Sequence, residues 1–147
     1  MKNIEHVWTI LCDKSVIDKE TNNISLFNLI ETLTLNPEKK QFKSLSVDVN
    51  LQLVTRIKRP LGVTKGIKNI YIKVDFLSPK KESKLSFEKE FTISQKDITN
   101  LRIVNNIKNI IVEKEGEYEF VVSVKEIRNE DYEKIGRYPL SIVISKN

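Results

Sequence analysis

The chain has no alanine, one cysteine, one histidine and four glycines in 147 residues, and each scarcity excludes something. The lone Cys12 rules out an intrachain disulfide and suits a reducing compartment. One cysteine and one histidine cannot supply a structural zinc site, which draws its tetrahedral ligand set mostly from those two types. Alanine is the strongest helix former, so a chain without it, rich in Ile, Val, Phe and Thr, is biased toward strands. Gly62, Gly66, Gly116 and Gly136 are expected at turns, and their spacing offers no glycine loop that could cradle a phosphate. No apolar run approaches the roughly 18–20 residues of a membrane helix. The opening Met1-Lys2-Asn3-Ile4-Glu5-His6 lacks the apolar core and cleavage site of a signal peptide. A soluble, cytoplasmic protein of one domain, residues 1–147, is the expectation.

What the chain has in quantity is charge, with 25 Lys and Arg against 20 Asp and Glu for a net +5. A basic chain invites a nucleic-acid reading. Abundant Ile, Asn and Lys beside absent Ala, however, look like an AT-rich coding bias, which raises Lys without functional demand. Only five of the cations are Arg, the residue that phosphate and base recognition favours. Neither nucleic acid nor a membrane is the expected partner. Arg56-Ile57-Lys58-Arg59 with Lys65 and Lys68, and separately Lys80, Lys81 and Lys84, read as lysine-rich edges that discourage edge-to-edge aggregation. A phosphate-bearing partner is the lesser reading of both groups.

The dominant signal is alternation with a period of two. Leu45 to Leu53 sets five apolar positions between four polar ones. Lys68–Phe76, Leu85–Ile93, Glu117–Val124 and Tyr138–Ile144 follow suit, and Pro139 marks the last as an edge or a strand start. Strands at His6–Cys12 and Ile24–Leu35 flank the turn-forming run Asp18 to Asn23, and an extended segment covers Leu101–Val112. Single helical turns are expected at Ser94–Ile98 and Asn129–Glu133. The predicted fold is all-β, a single antiparallel sandwich of about eight strands, immunoglobulin-like in the broad sense. Its expected core is Leu45, Val47, Val49, Leu51, Ile70, Ile72, Val74, Phe87, Phe91, Phe120, Val122, Leu140 and Ile142.

Candidate chemistry is sparse. His6 is the only imidazole and Cys12 the obvious nucleophile, but six residues of continuous strand hold them roughly 20 Å apart. A catalytic dyad needs about 3 Å. Asp13, Asp18 and Glu20 lie in or beside one loop, as in the calcium- and lipid-binding domains of the protein-kinase-C type. No second acidic loop completes such a site, and Asp18 reads better as the residue that caps its turn. The acids Asp48, Asp75, Glu88, Glu90, Glu117 and Glu119 alternate with apolar positions as a solvated sheet face does. No cofactor is implied.

Two stretches carry resemblances. Gly116-Glu117-Tyr118-Glu119-Phe120, following a strand and a turn, resembles the corner between two late strands of immunoglobulin- and fibronectin-like sandwiches. That implies a structural Tyr118 whose hydroxyl bonds to upstream backbone, with Gly116 at the turn. The pair Cys12-Asp13, the turn Asp18-Lys19-Glu20-Thr21 and the strand opening Ser25-Leu26, with Gly136-Arg137-Tyr138-Pro139-Leu140 near the end, resemble a family of small uncharacterised bacterial β-sandwich proteins. The resemblance implies a compact β domain and no particular chemistry.

The N-terminal strands break the alternation. Trp8, Ile10 and Cys12 oppose Val7 and Leu11, and Leu26 and Ile30 oppose Phe27, Leu29, Leu33 and Leu35. Either a bulge near Ile30-Glu31 swaps the faces, or both faces are covered, by the protein's own loops such as Leu61–Ile67 or by another chain. Trp8, Phe27, Leu29 and Leu33 are therefore the candidate interaction surface. The expected function is a non-enzymatic protein-interaction module, a homodimer or a complex subunit. The alternative is a small-ligand, lipid-surface or calcium-dependent binding domain using the loops at one end of the sandwich, with an enzyme a distant third.

Overall fold

The computed structural model describes residues 4–39, 41–58, 69–92 and 100–145. The described residues form nine strands and no helix, so none of them forms a helix long and apolar enough to cross a membrane. The strands are β1 (Glu5–Ile17), β2 (Ile24–Leu29), β3 (Thr32–Leu35), β4 (Leu45–Lys58), β5 (Asn69–Leu77), β6 (Ser83–Thr92), β7 (Asn100–Val112), β8 (Gly116–Lys125) and β9 (Glu133–Ile144). They make a four-stranded sheet, β2-β1-β4-β7, and a five-stranded sheet, β3-β9-β8-β5-β6.

The alternating sequences become alternating burial. On β5, Ile70, Ile72, Val74 and Phe76 are buried while the residues between them are half-exposed. One hydrophobic cluster joins both sheets: Leu11, Leu53, Ile57, Ile103 and Ile107 from the first meet Val74, Phe76, Phe120, Val122 and Leu140 from the second. Of the expected core, Val47, Val49, Phe87 and Phe91 pack only at its periphery, and Leu45 is half-buried.

Tyr118 is fully buried and its ring stacks on Phe76 at 5.2 Å. Its hydroxyl donates to the carbonyl of Lys114 at 2.8 Å and accepts from the amides of Glu113 at 3.0 Å and Lys114 at 3.2 Å. It thereby closes the turn between β7 and β8. Gly116, with φ of 151°, approaches Pro79 so closely that a Cβ would collide with its ring.

Three expectations need correction. The predicted strand Ile24–Leu35 is two strands in different sheets, β2 and β3, and the described residues hold nine strands where about eight were expected. At Ile30-Glu31 the chain crosses between sheets. The Ile30 amide donates to Leu11 in the first sheet, and the Glu31 carbonyl accepts from Ser141 in the second. The pairing is also not wholly antiparallel, because β3 emerges from that crossing running with β9, and Thr32–Leu35 pairs parallel with Ser141–Ile144. Finally, Asn129–Glu133 holds no helical turn. The Glu130 amide bonds to the Ile127 carbonyl at 3.0 Å in a reverse turn that leads into β9. The turn expected at Ser94–Ile98, the loop Leu61–Ile67, and Arg59, Lys65 and Lys68 lie outside the described residues.

Pro139 lies inside β9, opposite Glu119 of β8. Successive alternate amides of a strand point the same way. The Ser141 amide points toward the β3 side, where it meets Glu31, so the amide hydrogen that Pro139 lacks would point that way too, before the β3 pairing begins at Ser141. No ladder bond is lost there.

Candidate functional site

β1 serves two partners. Its first part, Glu5–Cys12, pairs with β4, and its second part, Cys12–Ile17, pairs with β2 to form a hairpin. The tip of that hairpin is built by Asp18. Its Oδ1 accepts from the amides of Glu20 at 2.8 Å and Thr21 at 3.1 Å. These backbone bonds hold the Asp18 carboxyl below its ordinary pKa. Asn22 takes a left-handed φ of 60°, which asparagine tolerates better than most residues.

The hairpin does not extend into solvent. Asn22 Oδ1 accepts from Arg102 Nη2 at 2.8 Å, and Arg102 belongs to β7, on the far side of β4 from β1. Midway along, the Ser15 amide and hydroxyl both donate to Gln52 Oε1 of β4, at 2.8 and 2.7 Å. The hairpin thus arches across β4, over the sheet face that points away from the core. On that face Cys12 and Val54 have no exposure, although neither belongs to the core cluster. The second apolar face seen in the sequence is therefore covered by the chain's own hairpin. Burial, and then the neighbouring Asp13 carboxylate, push the Cys12 thiol pKa up.

Between arch and sheet lies a cleft of about 610 Å³. Its floor is Trp8 and Ile10 from β1, Arg56 from β4 and Arg102 from β7; Ile24 and Leu26 of β2 line it together with the tip residues Thr21 to Asn23. Trp8, Arg56 and Arg102 lie side by side in register across three strands. Two guanidinium groups thus occupy neighbouring positions on one face.

The outer side of the same hairpin exposes apolar side chains: Val16 is 51% exposed, Phe27 45% and Leu29 50%. Lys14 Nζ lies 5.3 Å from the Phe27 ring centroid. The candidate interaction residues therefore separate. Phe27 and Leu29 are on the outer surface, Trp8 is in the cleft beneath, and Leu33 packs against the core from β3. Sequence reasoning passed over Arg56 and Arg102 as cleft residues. The pairing of two distant segments joins them, and only their positions opposite apolar neighbours hinted at it.

The remaining candidates stay apart. His6 turns toward the second sheet, where its ring occupies the space a side chain at Gly136 would need. Its Nε2 lies 2.8 Å from Thr9 Oγ1, and Thr9 Oγ1 lies 3.1 Å from Thr55 Oγ1. The Cys12 thiol instead donates to the Lys14 carbonyl at 3.5 Å. Among the described residues no group of three or more His, Cys, Asp or Glu side chains is arranged to hold a metal ion. The lysine-rich segment around residue 80 is largely neutralised: Lys81 pairs with Glu119 at 3.1 Å, and Lys84 pairs with Glu113 at 2.5 Å and Glu82 at 3.1 Å. The hydrogen bonds to Glu113 and Glu82 raise the Lys84 pKa. No protein-family model matches the chain, and no curated protein matches it.

Proposed function

We propose that this chain is an immunoglobulin-like sandwich of the cytoplasm that works by binding rather than catalysis, and that its binding edge is β2, through which two copies associate. The fold reading is supported by the arrangement of strands. β4 and β7 pair in one sheet and β5 and β8 in the other, with a shared core between them and the Tyr118 corner joining β7 to β8. The likeness to the small bacterial β-sandwich family belongs to this reading, and its C-terminal motif, Gly136 to Leu140, lies against the N-terminal part of the chain. The Tyr138 hydroxyl near the chain's end donates to the Ile30 carbonyl at 2.8 Å, and His6 packs on Gly136. The lone buried cysteine suits a reducing compartment.

The observation that carries the functional reading is an unguarded edge. Edge strands are ordinarily protected from pairing with other chains by charge, proline or shortness. The other edges follow that practice: β6 carries Lys84, Glu88, Lys89 and Glu90, β7 carries Arg102 and Lys108, and β3 has only four residues. β2, Ile24-Ser25-Leu26-Phe27-Asn28-Leu29, has neither charge nor proline along six residues. Its only irregularity is Asn28, with a φ of 54°. A strand of that composition pairs readily with another strand. A second copy supplies the same strand about a two-fold axis, which makes a closed, self-complementary contact. Phe27, Leu29 and Val16 would leave water there.

Light scattering across a concentration series tests this. Dimer is expected to form with rising concentration, and Phe27→Asp with Leu29→Asp is expected to abolish it while the β-type circular dichroism stays unchanged. Wild-type protein that remains monomeric at every concentration would refute the β2 contact.

A further inference from the structure

We propose that the first half of β4 is a docking edge for an extended peptide segment of a partner protein. The segment adds to the first sheet as a strand and sets its alternate apolar side chains into the gap between the two sheets. This edge is separate from β2, and neither reading rests on the other. Three observations converge on a peptide.

The first is a missing neighbour. β1 pairs with β4 only over residues 52–58 of β4, because past Cys12 it leaves to form the arch with β2. The preceding residues 45–51 of β4 pair with β7 alone. Among the described residues no backbone hydrogen bond reaches this stretch from the side that β1 vacates. Amides and carbonyls of alternate residues along a strand point to that side, and a row of both at strand spacing is matched by the backbone of another strand. The stretch has no proline and one charge, Asp48, so little in it opposes such pairing.

The second is a core left open. Leu45 stands opposite Val112 and Val47 opposite Ile110. Directly opposed residues share one face of the sheet. Val112 and Ile110 are nevertheless fully buried, while Leu45, Val47 and Val49 are only half-buried. The core is thus closed over β7 and open over this part of β4.

The third is a pocket in that opening. It measures about 530 Å³ and is lined by Leu45 and Val47, by Leu35 of β3, and by Pro37 and Phe42 of the connection from β3 to β4. Side chains on one face of a strand recur roughly every 7 Å, so a strand laid along residues 45–51 presents its inward side chains to this apolar lining. Charges of both signs, Glu38, Lys39 and Asp48, also line the pocket. Apolar fit and backbone pairing, rather than net charge, therefore select the partner.

The experiment pans a random library of twelve-residue peptides against the wild-type protein. Enriched peptides are then titrated by fluorescence anisotropy and mapped by hydrogen exchange. They are expected to alternate apolar with polar residues and to slow exchange at the amides of residues 45–51. Val47→Asp, which places a charge in the pocket, is expected to raise the Kd at least about 10-fold. Methylating one alternate set of the peptide's amides is expected to do the same, and methylating the other set to do little, because only one set faces β4. The methylated peptides leave the protein unaltered, so their result stands even if Val47→Asp fails to fold. Phe27→Asp with Leu29→Asp is expected to bind the peptides as wild type does, which separates this edge from the β2 contact. Failure to enrich any peptide would overturn the proposal. So would protection confined to Ile24–Leu29, which would make β2 the peptide's edge, or equal binding by both methylated peptides, which would show a pocket that pairs no strand. Protection of residues 45–51 that rises with protein concentration in the absence of peptide would also overturn it, since a second copy would then fill the edge.

Discussion

Asn105 is fully buried in β7 with neither its amide nitrogen nor its carbonyl oxygen hydrogen-bonded. It stands between Ile103 and Ile107 on the core-facing register, opposite Leu53 of β4. An unsatisfied buried amide costs about 1–3 kcal/mol, and replacing it with an apolar group of similar shape recovers that cost. Asn105→Leu is therefore expected to stabilise the protein by roughly 1–3 kcal/mol, read as a melting temperature several degrees higher. A lower melting temperature would mean that the amide has a partner such as an internal water. His6 makes a second prediction at this scale. Burial lowers its pKa from the ordinary value of 6.5, so the folded state holds its proton less tightly than the unfolded state does. Stability then rises with pH across this range, being complete above about 6.5 and lost as the pH falls through the depressed value. Melting temperatures measured from pH 7.5 down to 5.5 should decline in the wild type and decline less in His6→Gln. An identical slope in both would show that other groups carry the acid sensitivity.

The elements that were legible in the sequence are those whose two faces see different surroundings. β5 alternates perfectly because one face meets the core and the other meets solvent, and the sequence between Asn69 and Leu77 says so without help. The N-terminal segments resisted the same reading for a physical reason. β1 is covered on one side by the core and on the other by its own hairpin, so apolar residues fall on both faces and the period disappears. The break at Ile30-Glu31 was visible as a change of phase, but a bulge and a crossing between sheets leave the same trace in sequence. Only the partners, Leu11 on one side and Ser141 on the other, tell them apart. The cleft was illegible because Arg56 and Arg102 are brought together by long-range strand pairing. Asp18 was readable because a turn cap is local, its acceptor and its donors lying within three residues.

At the scale of the whole molecule, the hairpin is an integral part of the fold rather than an appendage. β1 gives one strand to both the sheet and the arch, so the arch cannot lift without straining the pairing of β1 with β4. The same segment is tied to the second sheet in two places, by His6 on Gly136 and by the Tyr138 hydroxyl on Ile30. Four of the seven strand pairs join strands that are not consecutive in sequence, β1 with β4, β3 with β9, β4 with β7 and β5 with β8, so partial structures lose much of the pairing that stabilises the whole. Such a chain should unfold in one cooperative step. Trp8, between sheet and arch, reports on the hairpin, while far-ultraviolet circular dichroism reports on all nine strands. In a urea titration the two signals are expected to change together, with one midpoint and one slope. A Trp8 transition at lower urea than the dichroism transition would show that the arch opens on its own. The bond between Arg102 and Asn22 would then break in a local unfolding step, ahead of the rest of the fold.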